Sequence, residues 1–230
     1  MEPVLITSRD NEKLKLVRKL HERRWRDKLG LFFVEGEDTV EAAELAAIEP
    51  VVVLRAGDDV EPSLLAGVST AAHPPRVIAV YRRGDLPRPA PRPVRLALWR
   101  VSDPGNIGTL VRTVDAFGGG LYLSDGCADP TSPKAVRASA GAIFRVPIGR
   151  FEDAPDPRYV LEAHATMYPP IPRFAGEATF VLGAERSGVG HEIVRPRDRV
   201  WTIPIESESL NVAIAGAIAL WEWRRSNLAY

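Results

Sequence analysis

Three stretches of this 230-residue chain place polar side chains and glycine directly after an apolar, strand-like run. The first reads Ser102-Asp103-Pro104-Gly105-Asn106-Ile107-Gly108-Thr109 and leads into a helical run that carries Arg112. Proline and glycine impose a tight turn, and the first turn of a helix leaves backbone N–H groups without intrahelical partners. Arg112 follows Asn106 by less than two helical turns, so its cation can reach back toward whatever binds at that turn. The same residues would also serve as an ordinary capping turn followed by a surface arginine.

The second stretch is Gly183-Ala184-Glu185-Arg186-Ser187-Gly188-Val189-Gly190, after Phe180-Val181-Leu182. Its glycines permit a backbone to approach a ligand closely. It has neither the phosphate-loop spacing nor the dinucleotide fingerprint. Ser187 lacks a glycine two places before it, so this is no nucleophile elbow. A plain turn capped by Glu or Ser is the competing reading. The third stretch is Ile203-Pro204-Ile205-Glu206-Ser207-Glu208-Ser209-Leu210-Asn211. Ser209 is placed to cap the final helix, and Asn211, polar in an apolar helix start, needs a partner in a neighbouring loop or a ligand. Metal chemistry finds no support: His21, His73, His164 and His191 lack ligand spacing, and a single Cys127 rules out an internal disulfide or a multi-cysteine zinc site.

These loops need a scaffold, and the hydrophobic pattern supplies one. Residues 11–28 read as a basic amphipathic helix with Leu14, Val17 and Leu20 on one face. A strand over 32–35, a helix over 38–48 and strands over 51–55 and 77–81 complete a small α/β unit. Pro87, Pro89, Pro91 and Pro93 then mark an extended linker. The expected division is therefore residues 1–86, a linker 87–93 and a second domain 94–230. The second domain alternates: strand 94–99, helix 107–117, strand 121–124, helix 132–139, strands 146–148, 162–167, 179–182 and 200–203, and a helix over 209–225. Such alternation predicts a parallel sheet covered by helices, with ligands at the carboxyl ends of the strands. The final helix is apolar all round (Ala213, Ile214, Ala215, Gly216, Ala217, Ile218, Ala219, Leu220), which predicts a central packing position, a subunit interface, or both.

Lysine plus arginine equals aspartate plus glutamate at 30 each, so bulk charge is uninformative, but its distribution is not. Residues 9–28 hold nine basic against four acidic side chains, and residues 35–61 hold nine acidic against one basic. A local basic face, with Arg18, Arg23, Arg24 and Arg26 as candidates, suits RNA. No apolar run reaches the roughly 20 residues of a membrane span, and the N-terminus lacks an apolar signal core. A cytoplasmic location is the expectation.

Taken together, the three loops resemble the SpoU (TrmH) family of RNA ribose 2′-O-methyltransferases, within the SPOUT superfamily. The match runs through Asn106-Ile107-Gly108-Thr109 with Arg112 and Ala116-Phe117-Gly118, the connector 132–142, then Gly183, Glu185 and Gly188, Ile203-Pro204 and Ser209-Leu210-Asn211. A looser similarity over Thr7-Ser8, Asn11, Lys15, Leu20, Arg26, Phe33 and Glu35-Gly36 points to a small L30e-like substrate-binding domain at the N-terminus. The resemblance implies an α/β fold with a trefoil knot, a methyltransferase domain whose donor is S-adenosylmethionine, and no metal. It implies that backbone atoms at Gly183, Ile203 and Leu210 hold the donor. It makes Arg112 the catalytic arginine, holding an RNA phosphate and stabilising developing oxyanion charge, with Asn106 positioning it. A low-pKa arginine or a substrate phosphate as proton acceptor stays open. Glu185, Ser209 and Asn211 would hold loops and substrate, and Lys134 and Arg137 would join the basic face on the RNA. It also implies a homodimer through the helix 209–225. Ribosomal RNA is favoured over transfer RNA as substrate because of the extra N-terminal domain, and a catalytically silent RNA binder of the same fold is the non-enzymatic alternative. Two departures stand out: the acidic pair in Ile205-Glu206-Ser207-Glu208, and a short, proline-rich stretch 150–172 in which an expected helix is reduced.

Overall fold

A computed structural model describes residues 5–71, 73–162, 174, 176–184 and 188–228. Its elements run α1 (Glu12–Leu20), α2 (Arg23–Leu29), β1 (Leu31–Glu35), α3 (Glu37–Leu45), β2 (Val52–Arg55), α4 (Pro62–Ala66) and β3 (Val77–Arg82) in the first part of the chain. There follow β4 (Val94–Trp99), α5 (Pro104–Ala116), β5 (Gly120–Leu123), α6 (Pro133–Ser139), β6 (Ile148–Arg150), β7 (Arg158–Leu161), β8 (Ala178–Gly183), β9 (Arg199–Trp201) and α7 (Val212–Ser226). They assemble into two compact units, one of residues 1–86 with 129–145, the other of 87–128 with 146–230. The segment 129–145, expected in the second domain, thus packs with the first unit.

In the first unit, β1-β3-β2 form an antiparallel sheet. Leu14, Val17 and Leu20 of α1 bury against Phe33, Leu54, Ile78 and Val80. The inserted segment closes the other side of β1 and β3, where the Phe144 ring sits 6.0 Å from Phe32 and 5.0 Å from Tyr81. The single helix expected over 11–28 is two helices, broken at His21-Glu22. The reason is Arg26, whose guanidinium turns inward and donates to the carbonyl oxygens of Leu20 (2.9 Å) and His21 (2.8 Å), the unpaired end of α1. Its Nε also donates to Asp129 at 2.8 Å.

Arg26 is 3% exposed, which overturns its expected role on RNA. Burial by itself would raise the Asp129 carboxyl, but Thr131, Arg83 and Arg26 outweigh it and hold the group below the usual carboxylate range. We expect Arg26→Ala to cost about 2–3 kcal/mol in urea denaturation, because the buried Asp129 carboxylate loses one of its two cations, keeping Arg83 at 2.6 Å, and the α1 carbonyls lose their donor. A depressed folded-state pKa stabilises the fold above the unfolded value, so this contribution is present at neutral pH and fades as pH drops below about 4. The stability gap between wild type and Arg26→Ala should therefore narrow in acid.

In the second unit the strand order is β6-β5-β4-β8-β7-β9, and every pairing is parallel. The central strands β4 and β8 are apolar along almost their whole length, as burial on both faces requires. Helices α5 and α7 pack side by side over one face. Gly216 permits this: a Cβ there would lie 2.5 Å from Leu110 Cδ2 and 3.2 Å from Leu96 Cδ1. The other face carries Ala97, Tyr122, Phe151, Val160 and Val181. Where a helix was expected to be reduced, the described residues hold a 3-10 turn, Phe151–Asp153. The strand expected at 162–167 lies earlier, at β7. Glu162 is outside it, and 163–167 fall outside the described residues.

Helix α7 is not buried all round within the chain. Val212, Ala213, Gly216, Ala219, Leu220 and Trp223 are buried, whereas Ile214 and Trp221 are 53% and 54% exposed. One further backbone feature marks the end of β4. Arg100 has φ +54°, a left-handed conformation that costs a residue with a Cβ roughly 1–2 kcal/mol.

Candidate active site

The carboxyl ends of β7, β8 and β9 and the start of α7 enclose a pocket. Gly183, Ala184 and Gly188 line it from the loop after β8, Ile203 and Ile205 from the loop after β9, and Ser209 and Leu210 from the approach to α7. The three positions expected to hold the donor, Gly183, Ile203 and Leu210, therefore face one cavity. The loop after β8 folds back on itself, with the Gly188 N–H donating to the Ala184 carbonyl at 2.8 Å. That return is possible only because residue 183 has no side chain: a Cβ there would stand 2.0 Å from the Gly188 carbonyl carbon and oxygen. Leu161, Leu182 and Val212 supply apolar walls, and Glu162 and Ser209 supply polar atoms. Apolar walls beside close-approaching backbone suit a nucleoside-containing donor such as S-adenosylmethionine, which needs surface contact and a few fixed hydrogen bonds. Leu161 and Glu162 line the pocket because β7 ends at Leu161, where the sequence pattern puts the start of a strand at 162 and its carboxyl end at 167.

The first and third loops are joined by a side-chain bond. Asp103 caps α5 by accepting from the Asn106 N–H at 2.9 Å. Asn211 Nδ2 donates to Asn106 Oδ1 at 3.1 Å, while Asn211 Oδ1 accepts from the N–H groups of Ala213 (2.9 Å) and Ile214 (3.3 Å). Asn211 is thus the N-cap of α7 and the tie between loops. Ser209, expected as the cap, lies two residues before it and lines the pocket instead. Arg112 is exposed on the outer face of α5 and does not line the pocket. Glu185, with Arg186 and Ser187, lies outside the described residues.

The basic candidates separate into two groups. Arg18, Arg23 and Arg24 are exposed on α1 and α2. Around Trp25, Lys19 Nζ, the Arg24 guanidinium and Lys28 Nζ lie 5.3, 5.6 and 5.2 Å from the ring centroid. Lys134 is exposed on α6. Arg137, also exposed on α6, donates to Glu35 Oε2 at 2.8 Å and to Thr70 Oγ1. Glu35 also accepts from Ser69 and Thr70, and these bonds hold its carboxyl below the ordinary range although burial acts to raise it.

Comparison with known proteins adds an independent line. Residues 93–221 match the SpoU rRNA Methylase family, and residues 11–80 match the MRM3-like substrate binding domain. The 23S rRNA (guanosine(2553)-2′-O)-methyltransferase RlmP of Bacillus subtilis is 30% identical over 249 aligned positions, covering 95% of this chain and 98% of that protein. An AdoMet-bound rRNA methyltransferase from Sinorhizobium meliloti superposes with a TM-score of 0.85 at 26% identity, covering 98% of this chain and 99% of that one. A TrmH-family putative RNA methyltransferase from Porphyromonas gingivalis gives a TM-score of 0.78 at 31% identity, covering 94% and 98%. With more than half its length inside the family match and its motif loops gathered around one pocket, this chain belongs to the SpoU rRNA methylase family.

Proposed function

We propose that the protein transfers a methyl group from S-adenosylmethionine to a ribose 2′-hydroxyl of structured RNA, ribosomal RNA in particular. The observation that carries this reading is the pocket at the carboxyl ends of β7, β8 and β9, tied through Asn211 and Asn106 to the helix that bears Arg112. The donor, when bound, supplies an electrophilic methyl group, so the chain needs to position more than to activate. Gly183, Ile203 and Leu210 hold it through backbone atoms. Arg112, always a cation, holds an RNA phosphate and stabilises the oxygen as it gains charge. Asn106, itself fixed by Asn211, positions that helix start. Glu185 and Ser209 complete the substrate contacts by hydrogen bonds.

The remaining parts of the reading have separate supports. Residues 1–86, with 129–145 packed into the same unit, form the L30e-like RNA-binding domain, and the rest of 94–230 the methyltransferase domain, joined by 87–93. The match of 11–80 to a substrate-binding domain supports this. A homodimer through α7 would cover Ile214 and Trp221, which are exposed within the single chain. The trefoil knot is supported by the path of the chain, which leaves the edge strand β9 and returns to pack α7 on β4 and β8. The cytoplasm is the location expected of a protein that acts on ribosomal RNA; among the described residues no helix is long and apolar enough to cross a membrane.

Mapping 2′-O-methyl groups in ribosomal and transfer RNA from cells with and without the protein tests the proposal. One ribosomal position should lose its methyl group in the deletion, and an unchanged map would refute the activity. The basic face gives a second readout. Neutralising Arg18, Arg23 and Arg24 should weaken RNA binding and flatten its dependence on log salt by about two to three ions, near one per lost phosphate contact.

A further inference from the structure

Arg100 stands out because its backbone and its side chain make conflicting demands. It occupies a left-handed conformation, φ +54°, at the carboxyl end of β4, where glycine would sit without strain. The surrounding chain is built to hold it there. Its N–H donates to Ser124 Oγ at 2.9 Å, and that hydroxyl donates in turn to the Asp125 carbonyl at 3.0 Å. Its stem lies over Gly126, where a Cβ would come within 3.2 Å of Arg100 Cγ. The guanidinium rests over the Trp99 ring, 4.9 Å from the centroid, and the residue is exposed. Among the described residues it forms no ion pair. Strained backbone that retains a long cation in place of glycine points to a use for the cation.

The location says what that use is. Trp99 is the register partner of Gly183 at the carboxyl end of β4, with its ring against Phe151 on the face away from α7 and the Arg100 stem over Gly126 in the loop after β5. Six residues after Arg100 comes Asn106, the residue tied to Asn211. We infer that Arg100, held over Trp99, is an RNA-contacting residue that binds a backbone phosphate at the carboxyl end of the sheet, the end at which the pocket opens. A guanidinium held over an indole face still offers N–H groups to a phosphate and loses little freedom on binding. The inference rests on the RNA methyltransferase reading above.

The test exploits the strain. In Arg100→Gly the backbone relaxes, so thermal stability should hold or rise, and any functional loss belongs to the side chain. With the wild-type enzyme first shown to methylate its RNA, we expect Arg100→Gly to raise the RNA KM about tenfold. The KM for S-adenosylmethionine should stay unchanged, and the salt slope of RNA binding should fall by about one. Arg100→Lys should recover the salt slope but not the full affinity, since a lysine keeps the charge without the planar stack. An Arg100→Gly enzyme with wild-type RNA KM and salt slope would overturn the inference. A wild-type protein that methylates no RNA would instead overturn the reading beneath it.

Discussion

Arg112→Ala should lower methyl transfer on the order of 100- to 1,000-fold, the usual effect of deleting one donor that stabilises transition-state charge, while binding S-adenosylmethionine as tightly as the wild type. The split follows from where the side chain lies. Arg112 is outside the pocket walls and exposed on α5, so truncating it removes no donor contact and leaves no buried partner unpaired. Its helix stays anchored by Asp103 and by the Asn106–Asn211 bond. Single-turnover assays with saturating RNA, set beside calorimetric donor titration, separate the two effects. Full activity in the variant would remove Arg112 from the chemistry, and a parallel loss of donor affinity would show that α5 had been displaced.

The second large effect is expected one loop away, with the opposite signature. Gly183→Ala adds a single methyl group, yet places it 2.0 Å from backbone atoms of Gly188 and 2.4 Å from the Val189 nitrogen. Backbone cannot swing aside as the tip of a flexible side chain can, so the return of the loop must open. Losing about two backbone hydrogen bonds to the donor at about 1–1.5 kcal/mol each corresponds to a donor Kd raised on the order of 100-fold. Calorimetry should show that loss, and circular dichroism should show the sheet intact. Unchanged donor affinity would mean that the loop after β8 does not shape the donor site.

Much of this was legible from residue types. The three loops are legible as polar turns after strands; the family resemblance singles out Gly183, Ile203 and Leu210 in them, and these three line one pocket, with Asn106 tied to Asn211 nearby. What stayed hidden depends on partners far along the chain. Arg26 reads as one more cation on a basic helix, and only Asp129, over a hundred residues later, turns it inward and splits that helix in two. β7 opens with Arg158, which looks like loop until Asp198, 3.1 Å away with its side chain fully buried, neutralises it. Ser209 and Asn211 are both good capping residues, and local propensity cannot choose between them. The bond to Asn106 decides.

The division of the chain into 1–86 with 129–145, and 87–128 with 146–230, bears on how the protein is made. A nascent chain of 86 residues would still lack Ala135, Val136 and Phe144, which are buried in the first unit. Domains emerging from the ribosome tend to mature in order from the N-terminus. Here the N-terminal part must wait, its apolar surface uncovered, until translation has passed residue 145, by which time β4, α5 and β5 have already been synthesised.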